Sequence, residues 1–333
     1  MTQTAVPQTT VPEELRLGWA KYKVEITGYC YRMLGSSFDA EDAAQETLVR
    51  AWRSFEGFEG RSSLRSWLYR IATNVCLTML EGRKRRARPM DMGPASTVAT
   101  ATLGPALEEA SWVQPVPDDR VIDAGADPAE QAVARETVRL AFVAALQHLP
   151  PRQRAVLILR EVLQWSAAEC AELLGGTVAS VNSALQRARA TMAERGLSAT
   201  DPVAPVADEH QELLLARYAE AFERYDMEAL VALLHEDAVL SMPPYDLWLR
   251  GREELLAWFV GPGAECEGSR LLPIRANGLP GFGQYRPSGP GGRHEAWALQ
   301  ILEISEGRVV GFNAFLDTAM LFPLFGLPLV LEG

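Results

Sequence analysis

The sequence predicts a multidomain fold: two all-α domains followed by an α+β domain. Three observations carry this reading. Apolar residues recur at helical spacing through residues 15–80 and again through 129–195. At 166–194 a short helix, a Gly-Gly turn and a polar-faced second helix follow one another. Beyond Asp201-Pro202-Val203-Ala204-Pro205 the helices give way to a series of strand-like runs.

The chain of 333 residues has room for two or three domains, and 48% hydrophobic against 23% charged residues is a globular composition. The net charge of −11 argues against nucleic-acid binding until its distribution is considered. Residues 1–200 hold 23 Arg/Lys and 23 Asp/Glu; residues 201–333 hold 9 and 20, so the whole excess lies in the last third. Within the first part, acidic 38–59 precedes strongly basic 61–88, then acidic 89–134 and mildly basic 135–195. Such blocks suit distinct partners at distinct surfaces. Cys30, Cys76, Cys170 and Cys266 lie far apart with no Cys or His at ligand spacing, so reduced core thiols are expected, with no metal and no cofactor. No leader and no apolar run near the roughly 20 residues of a membrane span is read, so a cytoplasmic protein without a membrane partner is expected.

In order, residues 1–14 are Thr/Gln/Pro-rich and expected to be disordered. A helix is expected from Leu15 to Leu34, ending at Gly35, and Asp39 is expected to cap the next. Ala43, Ala44, Leu48, Ala51, Trp52 and Phe55 give that second helix a buried stripe, leaving Asp42, Gln45, Glu46 and Arg50 outside. After a loop at Gly57 and Gly60 comes a basic helix. Arg65, Arg70 and Asn74 look outward from it, Trp67 and Tyr69 are interleaved, and Arg83-Lys84-Arg85-Arg86 follow. Taken alone, this stretch is either a solvated surface helix or a binder of melted nucleic acid, with cations on phosphates and rings on unpaired bases. Residues 89–128 have an acidic linker's composition, and Pro115 to Asp119 is expected to be non-helical. Residues 129–197 are helical. Ser166 and Glu169 form a capping box for Ala167–Leu174, and Thr177 caps Val178 to about Glu194, whose stripe is Val178, Val181, Leu185, Ala188 and Met192. The opposite face offers Ala179, Ser180, Asn182, Ser183, Gln186 and Arg187, suited to base edges in a major groove, with Arg189 and Arg195 for phosphates. Residues 198–207 are a second linker, and 208–333 the third domain. That domain is expected to have helices at 213–222, 227–234 and 252–259 and strands at 238–242, 271–276, 297–304 and 309–315.

The tandem Asp39-Ala40-Glu41-Asp42-Ala43-Ala44-Gln45-Glu46 … Trp52, then Leu64-Arg65-Ser66-Trp67-Leu68-Tyr69-Arg70 … Asn74, resembles region 2 of the sigma-70 family, and the short chain resembles its extracytoplasmic-function (ECF) group. Leu149-Pro150-Pro151-Arg152-Gln153-Arg154 and Trp165 to Arg189 resemble region 4. The resemblance implies a region 2 helical bundle at 15–88, a region 4 helix-turn-helix at 129–197, and a specificity subunit for RNA polymerase and promoter DNA. It places Asp39, Glu41, Asp42, Gln45, Glu46 and Arg50 on the clamp helices of the largest polymerase subunit. Phe58, Arg61, Ser62, Arg65, Trp67, Arg70, Asn74, Arg83, Lys84, Arg85 and Arg86 fall on the opened −10 element; for Trp67, burial in the core is the competing reading. Thr177, Ala179, Ser180, Asn182, Ser183, Gln186, Arg187 and Arg189 fall on the −35 element, with region 4 also on the polymerase flap. The linker would thread through the polymerase, or serve as a solvated tether.

Tyr218-x-x-Ala221-Phe222-x-x-Tyr225-Asp226, Leu234 to Ala238, Trp248-x-x-Gly251-Arg252 and Phe315-Leu316-Asp317 resemble the cone-shaped SnoaL-like fold. A cone implies a pocket, for which Asp237, Met242, Tyr245, Trp248, Trp258, Asn277, Tyr285, His294 and Trp297 are candidates. No acid–base pair can be placed face to face, so no catalytic residue is assigned. A protein-docking regulatory module, and a small ligand in the pocket, are the readings carried forward. The rivals are a ligand-responsive DNA-binding regulator independent of polymerase, and a cyclase or isomerase with a DNA-binding attachment. Neither accounts for the acidic-then-basic tandem at 39–74.

Overall fold

The computed structural model describes residues 11–194 and 209–332; the first linker's successor at 198–207, most of the N-terminal tail and Arg195 lie outside the described residues. The first helical domain comprises α1 (Glu13–Leu34), α2 (Ser37–Ser54) and α3 (Leu64–Leu80). Helix α1 starts two residues before the expected boundary, so Glu13 and Glu14 are helical, and it ends at Gly35 with φ 69°. Ser36, not Asp39, caps α2: its Oγ accepts from the Asp39 N–H at 3.1 Å. Asp39 is thereby free for another task, described below. Ser63 caps α3 in the same way.

The stretch between the helical domains is not a solvated tether. After turns at Pro89–Asp91 and Glu109–Ser111, residues Trp112 to Pro117 are all buried. They run into one helical turn, α4 (Asp118–Val121), which enters the segment expected to be non-helical. The second helical domain holds α5 (Pro128–Val138), α6 (Leu140–Leu146), α7 (Pro151–Leu157), continued by a π-turn at Ile158–Val162, α8 (Ala167–Leu174) and α9 (Val178–Glu194). The capping box forms as read: Glu169 N–H donates to Ser166 Oγ at 3.2 Å and Ser166 N–H to Glu169 Oε2 at 2.7 Å. Val181, Leu185, Ala188 and Met192 are buried, whereas Val178, expected in that stripe, is 45% exposed in the first turn.

The third domain has α10 (Glu209–Glu223), α11 (Met227–Ala232) and α12 (Arg252–Val260) against one sheet, with α13 (Thr318–Leu324) behind it. The strands are β1 (Leu234–Ser241), β2 (Trp248–Arg250), β3 (Arg270–Ala276), β4 (Leu279–Pro287), β5 (His294–Ser305), β6 (Arg308–Phe315) and β7 (Val330–Leu331). The order is β2-β1-β6-β5-β4-β3, with β7 on β5; among the described strands β1 and β6 pair in parallel and the other pairs are antiparallel. Side chains alternate between faces. Ala298 and Leu302 join the helices α10 to α12 inside the cone, while Leu299 and Ile301 face outward. The outer face does not meet solvent. Phe322, Leu321 and the C-terminal tail cover part of it, and its core is continuous with that of both helical domains.

Strand β4 was not expected, because Leu279-Pro280-Gly281-Phe282-Gly283 reads as a turn. Its glycines have a packing reason: a Cβ on Gly283 would meet Leu327 Cδ1 at 2.5 Å, and one on Gly281 would overlap the Gln300 carbonyl of β5.

Candidate functional site

On α2, Asp42, Gln45 and Arg50 are exposed and Glu46 is half-buried, paired with Arg50 at 2.6 Å. The other two acids of this set are engaged inside the chain. Asp39 accepts from Arg83 at 2.7 Å and from Arg86 at 2.9 Å, with its own side chain 17% exposed. Glu41 pairs with Arg120 of the connector at 2.9 Å. Asp39 is therefore an internal clamp between α2 and the basic segment after α3. Asp39→Ala is expected to cost about 3 kcal/mol, because it strands the buried Arg86 guanidinium. Urea unfolding would measure it against Asp42→Ala, expected within about 0.5 kcal/mol of the parent.

The basic helix divides similarly. Phe58 and Trp67 are half-buried rings 4.9 Å apart, backed by Phe55, and make an aromatic step beside the loop that carries exposed Arg61 and half-buried Ser62. Trp67 is thus neither fully core nor free. Asn74 and Lys84 are exposed. Arg65, expected to face the opened strand, is instead turned inward. It forks onto Glu25 of α1 and lies over the rings of Tyr69 and of Trp165 in the second helical domain, at 5.4 and 5.5 Å. Arg70 reaches Glu172 of α8 at 3.4 Å, and Arg85 reaches His148 Nδ1 at 2.6 Å. Arg86 is buried and donates to the Glu109 and Trp112 carbonyls, which makes it a structural residue of the connector. Arg83 shares Asp39 but is half-exposed.

Thr177, which caps α9, and Ala179, Ser180, Asn182, Ser183, Gln186, Arg187 and Arg189 on it are all exposed. Arg189 pairs with Glu161 at 2.5 Å. Ser180 and Arg187 also border a groove of about 720 Å³ whose other wall includes Leu77 and Leu80 of α3 and Glu81 just beyond it. The second helical domain thus packs against the very helix that carries the basic and aromatic residues.

The cone interior is nearly full. Met242, Trp258 and Trp297 line it, and with Phe222, Tyr225, Phe312 and Gln284 they leave only about 30 Å³. A chain of hydrogen bonds crosses it, from Tyr218 Oη to Gln300 (3.1 Å), Gln300 to Gln284 (2.7 Å) and Gln284 to Ser269 (3.0 Å). Among the described residues no carboxylate or histidine lines the space, and burial raises the thiol of Cys266 above its ordinary range.

The remaining pocket candidates lie elsewhere. Asp237 is exposed and pairs with Arg250 at 3.2 Å. His294 opens β5, three residues before the expected strand start, and is buried, its ring nitrogens against the Gly292 and Gly268 carbonyls at 2.7 and 3.0 Å. Tyr245 packs at the edge of the cone's core. Tyr285 points to the outer face, where it donates to the Pro328 carbonyl at 2.9 Å; burial pushes its hydroxyl up to about 12. Trp248 donates its indole N–H to Gly93 of the connector at 3.0 Å.

Asn277 holds the three domains together. In a left-handed turn (φ 55°) and fully buried, it donates to Tyr31 Oη of α1 and to the Val138 carbonyl at the end of α5, both at 2.7 Å. Its Oδ1 accepts from the Val116 N–H at 3.0 Å. Next to it, Gly278 N–H donates to Asp118 Oδ1 at 2.7 Å. The connector is stitched to the third domain elsewhere too, by Ser96 N–H to the Trp248 carbonyl (2.9 Å), Val98 N–H to Glu254 (2.7 Å) and Leu107 N–H to the Pro244 carbonyl (2.9 Å). Sequence reasoning missed this junction. The available signal was Trp112-Val113-Gln114-Pro115-Val116-Pro117, an apolar run inside an acidic connector.

Residues 19–86 match sigma-70 region 2, residues 139–192 sigma-70 region 4, and residues 215–312 the SnoaL-like domain. The chain is 48% identical over 310 residues to the ECF RNA polymerase sigma factor SigG of Mycobacterium tuberculosis, covering 92% of this chain and 82% of that protein. It is 32% identical to the ECF RNA polymerase sigma factor SigW of Bacillus subtilis, over 50% of this chain and 81% of that protein. Its fold is like that of the crystal structure of the Mycobacterium tuberculosis ECF sigma factor SigJ, with TM-score 0.59 and 22% identity, over 94% of this chain and 99% of that one. Among the described residues no helix is long and apolar enough to cross a membrane. With both sigma regions in order and the third domain after them, the chain belongs to the ECF sigma factors of the sigma-70 family, in the architecture that carries a SnoaL-like domain.

Proposed function

We propose that the chain is an alternative sigma factor of the cytoplasm that docks on core RNA polymerase through Asp42, Gln45, Glu46 and Arg50 of α2. From there it opens the −10 element with the aromatic step of Phe58 and Trp67 and the cations beside it. Helix α9 reads the −35 element with the face from Thr177 to Arg189, and the second helical domain also meets the flap. The observation that carries this reading is the pairing of a largely exposed acidic-polar face on α2 with a half-buried aromatic step and exposed Arg61 in the next loop and helix.

The compact arrangement supports a regulatory role for the third domain. Arg65 and Arg70 are held by Glu25, Trp165 and Glu172, so α3 cannot grip DNA fully while the second helical domain rests on it. The third domain and connector brace that arrangement through Asn277 and Asp118. We read the third domain as a non-catalytic brace, a reading supported by a cone whose described lining is aromatic, aliphatic, thiol, thioether and amide side chains, without a carboxylate or histidine among them. Its interior in this conformation has room for little more than a water molecule.

Run-off transcription with core polymerase and the purified full-length chain, on genomic fragments, tests the reading. Discrete start sites are expected only when both are present. Tight operator binding by the chain alone, with no discrete starts from the mixture, would favour the polymerase-independent regulator.

A further inference from the structure

A cavity of about 580 Å³ lies where α1, the connector beyond Val121 and the Val162–Gln164 turn meet. Its walls are largely apolar: Tyr22, Val121, Ala129, Val133, Val162 and Leu163. Arg32 also lines it, and this residue is only 3% exposed. Its Nε and Nη2 donate to Thr137 Oγ1 at 3.1 and 2.9 Å, and Nη2 reaches the Ala134 carbonyl at 3.4 Å. Among the described residues no carboxylate lies within ion-pair distance of Arg32, and no hydrogen bond reaches its Nη1.

That is an unusual state for a buried cation, which ordinarily has an anionic partner because desolvating it is expensive. Burial pulls Arg32 down to about 10, which still leaves it charged at neutral pH. The other charges around the cavity relieve it only in part, Glu25 acting on it from beyond ion-pair distance. Glu25 is taken by Arg65 and by the Tyr69 hydroxyl. Lys21, Asp123 and Glu130 are exposed. The buried part of the cavity therefore carries a positive charge with no carboxylate bonded to it, while two carboxylates, Asp123 and Glu130, stand at its exposed side.

We propose that this cavity binds a small monocarboxylate with an apolar body, its carboxylate on the Arg32 guanidinium and its hydrocarbon part against Tyr22, Val133 and Leu163. The volume falls in the range of small-molecule sites, and a few polar groups among apolar walls is their usual chemistry. A single buried guanidinium and the acids at the exposed side favour one negative charge over a phosphate or polyanion. Because the walls come from both helical domains and the connector, the ligand stabilises their compact arrangement by mass action. The binding claim stands independently of the transcription reading.

Octanoate is the probe, with 1-octanol and octylamine as neutral and cationic matches, titrated calorimetrically into the full-length chain. One octanoate per chain is expected, at least tenfold tighter than either match, with a rise in Tm that saturates. Arg32→Gln is expected to weaken binding at least tenfold. Should that variant fail to fold, Ala129→Trp decides: it adds a ring from an exposed helical position into the cavity and is expected to abolish binding. Equal binding of octanoate and octanol would overturn the proposal. So would octanoate binding undiminished in Ala129→Trp, which would place the ligand elsewhere, for instance in the cone.

Discussion

Core polymerase supplied with an Asp42→Lys, Glu46→Lys chain is expected to give at least about 30-fold less run-off transcript than with the parent chain. The size follows from the chemistry of a docked acidic face. Charged groups that become desolvated against a complementary partner contribute roughly 2–5 kcal/mol each when removed, and reversal adds repulsion. The fold should not register the change. Asp42 is exposed, and the Glu46–Arg50 pair is a surface i,i+4 pair that contributes about 0.5 kcal/mol. Thermal unfolding within about 1 kcal/mol of the parent, beside lost transcription, assigns the effect to docking. Unchanged transcription would remove α2 from the polymerase interface.

Asn277→Asp is expected to loosen the third domain. The substitution keeps the left-handed turn, which Asp tolerates, and it retains an acceptor for the Val116 N–H. It loses the donor to Tyr31 Oη and the Val138 carbonyl, and sets a carboxylate oxygen against that carbonyl in a fully buried place. The cost is about 3 kcal/mol, which shifts the balance between docked and undocked forms by about 100-fold. Faster hydrogen exchange at Val116 and easier proteolytic cleavage within 89–128 should report it, together with several-fold more transcript. If exchange rises but transcription does not, the third domain braces without restraining.

How far the chain could be read beforehand depended on whether a feature was local. The capping box at Ser166, the Gly175 turn and the stripe Val181, Leu185, Ala188 and Met192 are set by near neighbours, and all form as expected. Strand β4 was hidden because Pro280, Gly281 and Gly283 imitate a turn; what makes them a strand is the closeness of β5 and the tail, which spacing does not encode. Asp39 had the look of a cap and a partner contact because both uses favour Asp after a helix start. Only the approach of Arg83 and Arg86 from 44 and 47 residues away gives it a third use. The connector misled for the converse reason: its composition suits solvent, while the burial of Trp112 to Pro117 comes entirely from the domains on either side. Of the proposed pocket, Met242, Trp258 and Trp297 have apolar side chains whose burial the spacing suggests, whereas Asn277 and His294 are polar residues whose decisive partners include the Val138 and Gly268 carbonyls, 139 and 26 residues away.

The stitches from Ser96, Leu107 and Val116 to the third domain use the connector's own backbone N–H groups. A strand of chain offers each such group only once. Any channel that takes this segment in extended form has to unzip it from the third domain first. Capture by a larger assembly and release of the brace then become a single event. Mixing experiments would see it as a slow phase whose rate ceases to depend on how much of the assembly is added.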